Sequence, residues 1–235
     1  MDCAANRCDA TSGPTVNSTP PSVLSRKGKT IFHVLRSYVM PTAAALGTGA
    51  LLGLIGPAAL KWDNPFAAAL SLIFSVGWPW AGYAFLVGFF SRSKTMSGLL
   101  AFAGLATGVT VYYLFKYIYP YTPPGSTNVT GVSFSSGIVV WGTMALLLGP
   151  PMGLAGYLSR HQGMVALPFQ LAVPLIAFFE TNMRLDVETD PGDYVALITW
   201  NTVKYGAVAI SLFLTWRAAW SFWQRRSHLS TRNDA

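Results

Sequence analysis

FAAALSLIFSVGWPWAGYAFLVGFF, residues 66–90, runs for twenty-five positions without one charged side chain. A helix of that length spans about 37 Å at ~1.5 Å per residue, and roughly 20 apolar residues suffice to cross ~30 Å of hydrocarbon. The stretch reads as a membrane span, and the composition around it agrees. Of 235 residues, 52% are apolar and only 11% charged, against about a quarter charged in soluble domains. The bilayer, and not a soluble core, is the expected solvent of this chain.

Working outward from that run, six apolar windows emerge at about 38–60, 66–90, 96–119, 134–158, 164–181 and 194–217. The expected fold is all-α: a polytopic membrane bundle of about six transmembrane helices. A polar tail over 1–30 precedes a membrane domain at 31–222, and a basic tail covers 223–235. The first apolar run begins only near Tyr38, so no cleavable signal is expected and the first helix serves as an anchor. Cys3 and Cys8, the only cysteines, fall short of a zinc or disulfide framework.

Lys and Arg set the expected orientation. Arg26, Lys27, Lys29 and Arg36 precede the first span, Arg92 and Lys94 follow the second, Arg160 follows the fourth, and Arg225, Arg226 and Arg232 follow the sixth. These segments alternate along the chain, as one membrane face requires, which places both termini in the cytoplasm of a multi-pass cell-membrane protein. The net charge of +7 is then a topology signal. Nucleic-acid binding has no basic stripe or folded basic module behind it. RKGKTIFHVLRS, residues 26–37, reads as a stop-and-orient signal, with an interfacial helix on anionic lipid as the alternative. The tyrosines at 112, 113, 117, 119 and 121 and the tryptophans at 216, 220 and 223 suit interfacial belts, and Lys116 suits a snorkelling cation. The sequons at Asn17 and Asn128 carry meaning only in a glycosylating secretory pathway.

Pro57, Pro79, Pro150, Pro151, Pro168 and Pro174 predict kinks, because an interior proline frees a helix carbonyl that must find another donor. The Leu/Gly/Pro pattern shared by residues 51–60 and 146–158 raises an inverted three-plus-three repeat as an expectation. Glycines spaced by four, at 49 and 53, 104 and 108, and 149 and 153, predict close helix packing and no cofactor role.

The residues that cost most in hydrocarbon nominate the site. A central charge costs about 2.5–3.5 kcal/mol on the insertion scale. Lys204 lies about ten residues into the sixth span, roughly 15 Å deep. Asn201, Lys204, Ser211 and Thr215 fall near one helical face flanked by Trp200, which reads either as a structural polar seam or as a water-lined substrate path. Gln170 lies within the fifth span, Glu180 ends it after LPFQLAVPLIAFF, and Asp63 sits in the first outer connection. Carboxylates at the edge of an apolar pocket can serve as acids, so Glu180 and Asp63 are the catalytic candidates, with Lys204, Asn201, Gln170 and Trp200 as substrate-binding candidates. Beyond Glu180, the loop residues Asp186, Glu188, Asp190 and Asp193 offer oxygen ligands, but an EF-hand register would require Gly and Glu where Pro191 and Leu197 stand. A solvated acidic loop is the expectation, with no metal and, given the absence of P-loop, H-E-x-x-H, G-x-S-x-G and DDxxD motifs, no cofactor.

SLIFSVGWPWAGYAFLVGFF (71–90), TGVTVYYLFKY (107–117), GPPMGLAGYLSR (149–160) and FFET (178–181) resemble blocks of an uncharacterised actinobacterial family of multispan membrane proteins, over roughly residues 45–185. That resemblance implies a six-span fold and supplies no activity. Two functions compete. One is an intramembrane enzyme on a lipid-like or isoprenoid substrate, with acid-initiated terpene cyclisation as its working form, because an acid and a dry aromatic pocket are what that chemistry needs. The other is a small-solute or proton-coupled transporter built on Lys204, Asn201, Gln170 and the proline-broken spans, which at this size implies a homo-oligomer. A structural subunit is a third reading, without a discriminating residue. Membrane lipids and a hydrophobic small molecule are the expected partners.

Overall fold

The computed structural model describes residues 39–119, 134–161, 164–187 and 193–233. The N-terminal tail with both cysteines and Asn17, residues 120–133 with Asn128, and loop residues Glu188 and Asp190 lie outside the described residues. Among the described residues there are seven α-helices and no strand: α1 (Met40–Ala59), α2 (Pro65–Phe74), α3 (Gly77–Phe90), α4 (Lys94–Ile118), α5 (Phe134–Leu158), α6 (Leu167–Val187) and α7 (Tyr194–Asn233). A single 3-10 turn at Met164–Ala166 precedes α6. The fold is all-α, as composition and periodicity anticipate.

Four helices, α1, α4, α5 and α7, are long and apolar enough to cross a membrane, and a fifth joins them if α2 and α3 count as one broken span. The count differs from six because α6, although 21 residues long, carries Gln170, Glu180, Asn182, Arg184 and Asp186 among its apolar residues. Large apolar side chains face outward along the bundle, including Leu51, Phe90, Val139, Leu147, Ile198 and Leu212. Such a surface is stable only where the surroundings are hydrocarbon.

The uncharged run 66–90 folds as two helices. α2 begins where Asn64, in extended conformation, accepts the Ala67 N–H on its side chain at 2.8 Å, with Pro65 at the first helical position. It ends at Ser75, and α3 leaves at 65° after Val76. Pro79 explains the place of the break. In a continuous helix its nitrogen would face the Ser75 carbonyl with no hydrogen to donate, whereas in the first turn of a new helix that missing donor is of no consequence. Pro57, Pro150, Pro151 and Pro174 all lie inside unbroken helices. The break in α2–α3 therefore has no counterpart at Pro174.

Small residues decide the packing. Gly49 and Gly53 of α1 lie against Gly104 and Gly108 of α4 so closely that a Cβ on either α1 glycine would collide with the facing carbonyl oxygen. Gly88 of α3 meets Gly153 of α5 in the same way, and Gly156 meets the Phe85 carbonyl. Backbones that approach this closely gain dispersion contacts that longer side chains would forbid. Tyr83, Ala84, Ala101, Leu105 and Ala145 form the buried centre of α3, α4 and α5, with Leu52 of α1 packed against them. The Tyr83 hydroxyl donates to the Ala45 carbonyl of α1.

The two ends of the bundle are tied differently. At one end Arg160 donates from Nη1 to the Ser91 carbonyl at 2.5 Å and lies over the rings of Phe89 and Tyr157. Gln170 donates from Nε2 to the Ser159 carbonyl at 3.0 Å. The α3–α4 and α5–α6 connections thus share an end. At the other end Lys61, after α1, lies 4.1 Å from the Tyr119 ring centroid and 5.6 Å from that of Phe115, so the α1–α2 connection meets the end of α4. This is the alternation that the Lys and Arg distribution anticipates.

Candidate functional site

The break between α2 and α3 is held open by a residue more than a hundred positions away. Glu180 of α6 accepts the Gly77 N–H on Oε1 at 2.7 Å and the Trp78 N–H on Oε2 at 2.8 Å. These are the first two donors of α3, which no intrahelical carbonyl can reach, and a carboxylate also complements the positive end of the helix dipole. On the other side of the break, Trp80 Nε1 donates to the Phe74 carbonyl at 3.1 Å. The exposed polar groups of a helix interruption are thereby satisfied inside protein, the condition under which irregular backbone persists at membrane depth.

Beside the break lies a cavity of about 230 Å³. Phe74, Ser75, Val76 and Gly77 form one wall, and side chains of α3, α4 and α5 form the others, with Ile176 of α6 at the edge. Trp80, Tyr112, Tyr113 and Trp141 supply aromatic faces, while Leu105, Leu148 and Met152 supply aliphatic ones. On α5 the lining residues Trp141, Met144 and Leu148 are also exposed on the bundle surface. The Trp80 and Tyr112 rings meet edge to face at 6.4 Å. Since α4 runs only six residues beyond Tyr112, this level is about 9 Å from the end of that helix by axial rise.

The catalytic candidates do not meet. Asp63 precedes α2 and is exposed, whereas Glu180 binds the start of α3, beyond the other end of α2. The ten residues of α2 separate them by about 15 Å along its axis. Glu180 is half-buried with both oxygens engaged by backbone, and it reaches the wall of the cavity through Gly77. Asp193, from the same acidic stretch, accepts the Ala196 N–H on Oδ1 at 3.0 Å and so caps α7. Two acids of that stretch therefore act on helix N-termini, α3 and α7.

The substrate-binding candidates divide too. Lys204 is half-buried, with its ammonium 6.0 Å from the Phe178 ring centroid across the α6–α7 contact. Among the described residues it has no carboxylate partner, Glu180 included. Asn201 donates to the Leu197 carbonyl of its own helix at 2.9 Å. Gln170 ties helix ends at the Arg160 end of the bundle, as described above. Trp200 is only 1% exposed and packs with Val76 and Ala196, against Leu72, Trp78 and Leu185. Its neighbourhood is thus the far side of the Glu180 anchor, and none of Lys204, Asn201, Gln170 and Trp200 lines the cavity.

The residues that line the cavity were missed by a reading based on charge. Tyr112 and Tyr113 read as interfacial anchors, and Trp80, Trp141, Met144 and Met152 carry no ionisable group to draw notice. The usable signal was G-W-P-W within an otherwise uninterrupted run, residues 77–80, where proline interrupts a helix and aromatics crowd the interruption. Comparison with protein-family models, curated proteins and solved structures finds no match to this chain.

Proposed function

We propose that this chain is a multi-pass cell-membrane protein, with cytoplasmic termini, that takes a lipid-like or isoprenoid molecule sideways from the bilayer into the cavity beside the α2–α3 break. The observation that carries the reading is the apolar, aromatic-walled cavity whose α5 rim, Trp141, Met144 and Leu148, is exposed on the bundle surface. Its volume exceeds the ~150 Å³ of an apolar protein cavity known to take up benzene, and an apolar occupant needs no polar partner there. The experiment is retention of radiolabelled farnesol by protein reconstituted in phosphatidylcholine nanodiscs. Met144→Trp, which fills the rim, is expected to reduce retention about tenfold; unaltered retention in a folded variant would remove the cavity from the function.

If the bound molecule is also transformed, acid-initiated cyclisation is the reading that the aromatic walls favour, since ring faces stabilise carbocations. Glu180 would be the acid, and it would have to exchange its Gly77 and Trp78 partners for the substrate. Glu180→Gln should then abolish turnover of a polyprenyl substrate while the protein stays folded, and unchanged turnover removes Glu180 as the acid. The transporter reading draws on a different observation, the half-buried Lys204 without a carboxylate partner among the described residues, together with a discontinuous helix of the kind that transporters use around their sites.

A further inference from the structure

We infer that the occupant of the cavity is a single-chain amphiphile with an anionic head, and that Lys116 and Lys61 hold the head. The inference rests on reading the cavity as a lipid-like binding site and adds the chemistry of one end. Tyr112 lines the cavity, and its hydroxyl accepts a hydrogen bond from Lys116 Nζ at 3.3 Å. The same ammonium stands 5.1 Å from the Tyr112 ring centroid. One phenol therefore has its ring in the cavity wall and its oxygen on a cation. One turn farther along α4, the Phe115 and Tyr119 rings hold the Lys61 ammonium.

Both cations rest on neutral partners. Among the described residues neither Lys61 nor Lys116 has a carboxylate within ion-pair distance; both lysines are exposed, as is Asp63, the acid nearest Lys61 in the chain. An ammonium has three donors, and a ring face uses none of them as a strong hydrogen bond. Lys116, bonded to the lining Tyr112, and Lys61, held on α4 rings farther toward the same helix end, keep ammonium donors that favour an anion over an alcohol or an amine. At the other end the lining is Leu105, Leu148 and Met152, which suits only the tail.

Size restricts the occupant to one chain. The cavity is smaller than the ~300–1,000 Å³ of drug-sized sites, and α5 cannot retreat at the head end without losing its contact with α4. There Gly137 lies directly under the Tyr113 ring, and a Cβ would collide with it. Phosphate and carboxylate heads share the required chemistry.

The test uses the full chain in phosphatidylcholine nanodiscs and three radiolabelled probes with one tail: farnesyl monophosphate, farnesoate and farnesol. At least one of the anions is expected to bind about tenfold or more tightly than farnesol, a preference that shrinks as salt rises. The double substitution Lys61→Gln with Lys116→Gln is expected to erase that preference and leave farnesol affinity as it was. Which anion gains more identifies the head. Equal affinity for all three probes, or a preference that survives the double substitution, overturns the anionic-head inference and leaves the cavity reading in place. Failure of every probe to bind, or binding unchanged by Met144→Trp, overturns the cavity reading and the head with it. Monodispersity of each variant by gel filtration separates loss of binding from loss of fold.

Discussion

Glu180 and Gly77 are 103 residues apart in the chain and 2.7 Å apart across a hydrogen bond. Together with the bond to Trp78, this contact makes one side chain of α6 the cap of α3. It satisfies the first donors of α3 at the break that Pro79 places in the uncharged run, and a cavity lies where the second helix departs.

Removing the cap should destabilise the break. Glu180→Ala leaves two backbone donors unpaired in a protein interior, about 1–3 kcal/mol for each. Glu180→Gln retains one acceptor oxygen and should lose roughly half as much. Reversible unfolding of the purified protein in detergent measures the difference. An alanine variant as stable as the parent would mean that water or another group caps α3.

Trp80→Phe tests the opposite side of the same break. It keeps an aromatic wall for the cavity but deletes the donor to the Phe74 carbonyl, at a cost of about 1 kcal/mol. Farnesol retention should persist in this variant while unfolding begins earlier, which separates the hydrogen bond from the binding surface.

Glycine substitutions should sort by what a new methyl would meet. Gly53→Ala and Gly88→Ala push against the facing carbonyls of Gly108 and Gly153, and overpacking of rigid backbone costs about 1–3 kcal/mol. Gly47→Ala and Gly206→Ala meet nothing within 4 Å, so they should be neutral or gain up to about 1 kcal/mol in helix propensity. Equal effects at all four positions would contradict the close α1–α4 and α3–α5 approach.

Lys204→Met separates stability from transport. It removes a cation that lies 6.0 Å from the Phe178 ring but also relieves the desolvation of that cation, so stability should stay within about 1 kcal/mol. If the chain moves a solute, flux into proteoliposomes should disappear in this variant. Normal flux would exclude Lys204 from the transport mechanism.

Arg160→Ala should loosen the opposite end of the bundle by about 1.5–3 kcal/mol, the range for a hydrogen bond to a charged donor. Because Arg160 is remote from the cavity lining, farnesol affinity should be unaffected. Hydrogen exchange at the last turn of α3 and the first of α4 would report the loosening directly.

The chain alone determined the class of solvent, the helical fold, the alternation of bundle ends and the glycine faces, because each depends on local quantities: the length of an apolar run, the sign of its flanks and spacing along one helix. Gly49, Gly53, Gly104 and Gly108 were readable as contact residues for that reason, although not as partners of one another. Glu180 at a span end and Asp193 in the acidic loop were separable in the chain, but only the tertiary structure gave each its target, with Asp193 beginning α7 and Glu180 crossing to α3. It also parted Asp63 from Glu180 and made Tyr112 and Trp80 walls of a cavity. Those outcomes depend on which helices meet and at what height. Hydrocarbon outside the bundle leaves unpaired backbone at a break with few partners, so the identity of the residue that arrives opposite Gly77 sets the site, and no local pattern in the chain records that meeting.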